Sequence, residues 1–217
     1  MNRLGDKVKR RQKRNQSLGE EIGNAITHGA GAVFAIVAII LMLLKAQGWV
    51  SYISVIIYGI GFLVLYVMSC LYHAFKNGST VKKVFRYFDH SSIFLLIGGT
   101  YAPILLVSIG GTLGLVYFIL QWVIIAIGIT LKCTLHSKST KIQTVIFLIL
   151  GWSGISVLPQ LYAISPMFLW LIIFGGLAYS IGVGFYASRF KYSHFIWHFF
   201  VLAGTIIHFI AIYAYVL

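Results

Sequence analysis

SHFIWHFFVLAGTIIHFIAIYAYV, residues 193–216, runs for 24 residues without a single Asp, Glu, Lys or Arg. As a helix it would span about 36 Å, enough to cross the roughly 30 Å hydrocarbon layer of a bilayer. In lipid such a run has to be helical, because only intrahelical hydrogen bonds satisfy every backbone N–H and C=O without water. Six further apolar runs lie at 25–44, 50–73, 89–109, 112–132, 142–160 and 165–186. The alternation of an outer-membrane barrel is absent. The reading is an all-α integral membrane protein, a seven-transmembrane helix bundle over residues 21–217. A basic cytoplasmic N-terminal segment precedes it over 1–20.

Composition leads to the same place. The 217 residues are 59% hydrophobic and only 10% charged, with a mean hydropathy of +0.92. A soluble domain carries about 25% charged residues, and a globule of this size could not bury the deficit. The first apolar run is too long for a signal-peptide core and is followed by no A-x-A-like site, so it is expected to stay as a helix.

Charge orients the bundle. Sixteen of the 17 Lys and Arg fall in the N-terminal segment and in the loops before helices three, five and seven; Lys45 alone lies on the other side. Basic residues stay cytoplasmic, so the N-terminus is expected inside and the C-terminus outside. The +13 net charge then follows from topology and attraction to anionic lipid rather than from nucleic-acid binding, for which no fold motif or aromatic interleaving is present.

That topology gives each polar residue a depth. His73 closes helix two with Ser69 one turn above it, Asp89 opens helix three, and His194 and His198 open helix seven. All five belong to the cytoplasmic third. Histidines at i and i+4 share one helix face and suit two ligands of one metal, although such a pair alone could equally pack. Asp89 is the last acidic residue in the chain. It can be read as an N-cap, yet capping alone does not call for three histidines at the same depth. Three imidazoles suit Zn2+ with a fourth position open to water. Asp89 would then hold that water or take its proton, and Ser69 would assist.

The other histidines sort by position. His208 lies about 15 Å beyond His198 along the helix and should not reach the site. His136 is in a basic loop, and His90 points about 100° away from Asp89. Glu21, Asn24, Thr27 and His28 gather on one face of the first helix. The plainer reading is a turn of charged and capping residues; the other is a polar plug supporting the metal. Cys70 and Cys133, without CxxC spacing, read as packing. Gly176, Ser180 and Gly184 make a small-residue stripe, and Gly98 and Gly99 either pack closely or admit an acyl chain.

Glu21-x2-Asn24-x2-Thr27-His28, Ser69-x3-His73, Asp89-x-Ser91 and His194-x3-His198, in that order, resemble the motifs of the hemolysin III family. That family is the bacterial branch of the progestin and adipoQ receptor group, in a superfamily with alkaline ceramidases. The resemblance runs from Glu20 to the last helix. It implies zinc held by His73, His194 and His198, Asp89 near the bound water, and the same cytoplasmic N-terminus. It also implies a multi-pass protein of the plasma membrane that hydrolyses a lipid amide or ester, with membrane lipids as partners. A non-enzymatic lipid sensor or regulator and a cytolytic pore are the alternatives. Without the long N-terminal region of the animal receptors, a hormone-receptor role is not expected to carry over.

Overall fold

The structure, a computed structural model, describes residues 16–134 and 140–217. The basic run up to Arg14, His136 and Lys138 lie outside the described residues. Among the described residues there are helices and no strands. They are α1 (Leu18–Lys45), α2 (Gly48–Ala74), α3 (Thr80–Pro103), α4 (Gly111–Thr134), α5 (Thr140–Gly151), α6 (Leu158–Ile164), α7 (Pro166–Ala187) and α8 (Ser193–Tyr215). α5, a 3-10 segment Ser153–Val157 and α6 form one span, giving seven long and apolar enough to cross a membrane. Outward-facing Ile40, Leu44, Ile119, Ile127 and Phe174 are exposed, as suits contact with lipid. The chain is a multi-pass membrane protein.

Two spans begin well before their apolar runs, and serine caps explain why. The Ser17 hydroxyl accepts from the Glu20 N–H while the Glu20 carboxylate accepts from the Ser17 N–H. This box starts α1 at Leu18 rather than 25 and makes His28 an interior residue. Ser79 caps α3 by accepting from the Lys82 N–H, so that helix starts at Thr80 rather than 89. Asp89 is therefore an interior residue of α3, and the N-cap reading of it is excluded.

Lipid offers no hydrophobic drive between helices, so close backbone approach has to supply the packing. α2 lies between α1 and α3, and α8 packs against α1 and α7. A Cβ on Gly61 of α2 would stand 2.3 Å from the Leu95 carbonyl oxygen of α3. Gly99 returns the contact against the backbone of Ile57 and Tyr58, and Gly98 lies against Ile125 and Trp122 of α4. Both α3 glycines are packing residues. Tyr58, Phe62, Leu65 and Tyr66 of α2 fill the centre of the core.

Proline shapes two spans. After Pro103 the chain widens into a π-helical stretch, Ile104–Ile109, closed by Gly110 and Gly111 at φ of 63° and 54°. The fifth span breaks between Gly151 and Val157, and Pro159, in the first turn of α6, restarts it. Broken backbone inside a membrane needs partners from neighbouring helices. Tyr101 of α3 provides two: its hydroxyl donates to the Gly151 carbonyl at 2.6 Å and accepts from the Gly154 N–H at 2.9 Å. Trp152 Nε1–H donates to Ser180 Oγ at 2.9 Å, which gives the small-residue stripe of α7 its contact. Tyr101→Phe should orphan both backbone groups and destabilise the fold by about 1–3 kcal/mol. The check is a lower Tm in detergent with metal content unchanged.

Candidate metal centre

α8 presents His194 and His198 one turn apart, and the last turn of α2 presents His73 to the same point. The Nε2 atoms of His73 and His194 are 3.3 Å apart, and those of His194 and His198 are 3.2 Å apart. One ligand atom from each of the three imidazoles lies within 4.8 Å of the others, so the group could hold a metal ion. A tetrahedral ion about 2.0–2.1 Å from each nitrogen would set its ligands about 3.3–3.4 Å apart, close to the two spacings observed.

The far side of two rings is fixed by α1. Glu21 Oε2 lies 2.7 Å from His73 Nδ1, which donates to it and leaves Nε2 a bare lone pair. Thr27 works differently. Its hydroxyl proton serves the Gly23 or Asn24 carbonyl, each at 3.0 Å, so Oγ1 accepts from His198 Nδ1 at 3.2 Å. Both arrangements direct an Nε2 lone pair to the centre, the state a metal ligand requires. The Asn24 amide, fully buried, stands 3.4 Å from His73 Nδ1 and donates to Gln16 Oε1 at 2.7 Å. The polar face of α1, with Glu21, Asn24, Thr27 and His28, is thus buried against His73 and His198.

His28 has another place. Its ring stacks on His198 with centroids 3.5 Å apart and planes 10° apart, and Tyr66 meets it edge-on at 4.9 Å. Parallel stacking keeps its nitrogens from sharing an ion with His198, and neither nitrogen has a hydrogen-bond partner among the described residues. Trp197 walls the other side, 4.8 Å from His194 and 5.2 Å from His198.

Lys82 and Glu20 are supports that sequence reasoning missed. Lys82 counted only toward topology, yet it is buried. It pairs with Glu21 at 2.9 Å and donates to the Phe75 carbonyl at 3.0 Å, at the C-terminal end of α2. It holds the carboxylate that holds His73, and nothing in its sequence neighbourhood separates it from Lys83. Glu20 Oε1 accepts from the N–H of Tyr192, a residue at φ 65° that caps α8 two positions before His194. Glu21→Gln keeps size but loses the charge that Lys82 and His73 share. Such supporting changes weaken metal affinity by about 10–100-fold, and competition with a fluorescent zinc chelator would read that shift.

Ser69 is fully buried one turn from His73, and its Oγ has no hydrogen-bond partner among the described residues. Asp89 is buried in α3, with Oδ2 3.9 Å from His90 Nε2. Asp89, His90 and His194 line one cavity of about 150 Å3, so His90 faces the same space as Asp89 rather than away from it. The cavity also touches Trp197 and Tyr186 near the histidines and continues past Leu96 and Phe147 to Ile104 and His208. From Asp89 to Ile104 is roughly 22 Å along α3 at 1.5 Å per residue. His208 donates from Nε2 to the Ile172 carbonyl at 3.1 Å, away from the three-histidine group. Cys70 and Cys133 are free thiols outside the cluster.

Comparison with known proteins agrees with the family resemblance. The family described as Haemolysin-III related matches residues 16–209. "Hemolysin-3" of Bacillus cereus is 36% identical over 207 residues, covering 93% of this chain and 94% of its own. "Hemolysin-3 homolog" of Bacillus subtilis (strain 168) is 35% identical over 204 residues, covering 92% and 95%. A mammalian relative, the human "Monocyte to macrophage differentiation factor", is 29% identical over 204 residues, covering 90% and 84%.

Proposed function

The chain belongs to the Haemolysin-III related family, and from that premise we propose that it is a zinc-dependent hydrolase of a lipid amide or ester. It resides in the plasma membrane with its site at the cytoplasmic end of the bundle. One observation carries the reading: three histidine nitrogens converge beside an apolar cavity that also holds a buried carboxylate, Asp89. A structural zinc is closed by four protein ligands, whereas three leave a position for water or substrate. Three imidazoles with no carboxylate among them favour zinc over the oxygen-seeking magnesium and calcium.

Bound zinc would supply a water activated near neutral pH and would polarise the scissile carbonyl. The protein supplies the rest. Asp89 takes the proton of the attacking water and returns it to the leaving amine or alcohol, the work of a general base and then acid. Ser69, whose hydroxyl has no partner among the described residues, donates to the carbonyl oxygen. Glu21 and Thr27 keep His73 and His198 in the ligating tautomer. The apolar walls take the acyl chain and keep bulk water from the reacting carbonyl.

Chelation tests this directly. Protein stripped of metal in detergent is expected to hydrolyse nothing in a panel of lipid amides and esters. Stoichiometric zinc should restore turnover and magnesium should not. A zinc-loaded protein that stays silent on the whole panel would favour the non-enzymatic lipid sensor instead.

A further inference from the structure

His194, Trp197, Val201 and His208 share one face of α8, and all four line the cavity. His208 lies about 15 Å past His198, deep in hydrocarbon, and the proposed chemistry gives it no part. An ionisable side chain at that depth is expensive and calls for partners. Only one of its nitrogens finds one. Nε2 donates to the Ile172 carbonyl at 3.1 Å, and the Cδ2–Nε2 edge rests on Gly175, where a Cβ would come within 2.2 Å of both atoms. Nδ1, the ring atom opposite that edge, points away from Gly175. It is buried, with no hydrogen-bond partner among the described residues, in a side chain whose residue is only 9% exposed. The single proton of a neutral imidazole is spent on Ile172, so Nδ1 is a bare lone pair.

Three cavity hydroxyls are in the same state. Thr205 Oγ1 donates to the Val201 carbonyl at 2.9 Å, so the Tyr179 hydroxyl, 2.8 Å away, donates to Thr205. Ser180 Oγ donates to the Gly176 carbonyl and Thr100 Oγ1 to the Leu96 carbonyl, each at 2.8 Å. Tyr179, whose ring lies 5.5 Å from that of His208, lines the cavity together with Ser180 and Thr100. Thr100 stands roughly 16 Å past Asp89 on α3, much the depth that His208 has on α8. These four side chains offer the cavity lone pairs and no proton. A chain of methylenes leaves the lone pairs unmet, and a keto oxygen adds another. A hydroxyl supplies what is missing.

We infer that the lipid this cavity takes carries a hydroxyl part-way along its acyl chain, and that this hydroxyl donates to His208 Nδ1. The inference rests on the acyl channel of the hydrolase reading, but binding alone tests it. Ricinoleate is oleate with one mid-chain hydroxyl added, at a distance from its carboxyl comparable to that between His198 and His208. Both acids, and the keto analogue of ricinoleate, are titrated onto the full chain in lipid nanodiscs, with empty nanodiscs correcting for partition into the bilayer. Wild type should bind ricinoleate about tenfold more tightly than oleate, the scale of one satisfied buried acceptor. The keto analogue should bind no better than oleate. In His208→Gln the amide can still donate to Ile172 but places no atom at the Nδ1 position. That variant should lose the preference while keeping oleate affinity and Tm. His208→Asn, whose Oδ1 falls where Nδ1 was, should retain part of it. Equal binding of ricinoleate and oleate by wild type overturns the inference, as does a preference that survives His208→Gln or extends to the keto analogue. The hydrolase reading fails separately. Hydroxyl preference without turnover of any lipid sinks the hydrolase and keeps His208, whereas turnover of a plain-chain lipid with equal binding of the two acids does the reverse.

Discussion

The His194→Ala/His198→Ala double variant is expected to purify without zinc, where the wild type carries about one ion per chain. Two of the three converging Nε2 atoms disappear, and His73, still held by Glu21, cannot retain the ion alone. His198 is also a packed residue, stacked on His28 and wholly buried, so part of any loss could be folding rather than ligation. His194 separates the two, because it is only half-buried. His194→Ala alone should lower zinc content sharply while the Tm of the metal-free form stays near that of the metal-free wild type. Metal retained in the double variant would place the ion elsewhere and remove the site.

Asp89→Asn should give the opposite pattern: zinc kept, hydrolysis lost. The amide has nearly the shape of the carboxylate but cannot take a proton. General acid–base groups contribute about 10²–10⁴-fold, so kcat should fall within that range with metal content unchanged. Zinc analysis of the same sample decides how the loss is read. If zinc leaves with the charge, Asp89 is a ligand and its role as base falls. If turnover persists at the wild-type rate, another group moves the proton.

How far the sequence could be read follows from which interactions are local. Seven apolar runs announce seven spans because lipid allows one solution for each. The early start of α3 escaped that reading because Thr80–Phe88 carries Lys82, Lys83 and Arg86, which by charge alone look like loop. The helix continues because Ser79 caps it and Lys82 turns inward to Glu21, and only the tertiary structure shows the second of these. The same shift placed Asp89 at a helix start. The three histidines were legible because i, i+4 spacing and equal depth are sequence properties. Which ring nitrogen each presents was not, since Glu21 and Thr27 fix that from another helix. The break in the fifth span was likewise hidden, because the hydroxyl that tolerates it belongs to Tyr101 of α3.

The packing of α8 against α1 has a consequence for biogenesis. Spans enter the bilayer in order as the chain is synthesised, so α1 and its Glu21 wait there while five other spans emerge. Two of the three candidate ligands arrive only with the last span, and Glu20 can grip the Tyr192 N–H only then. Any metal that this group holds would therefore have to load after the last span is made. A nascent chain arrested before Ser193 can hold six inserted spans and still have no centre to fill.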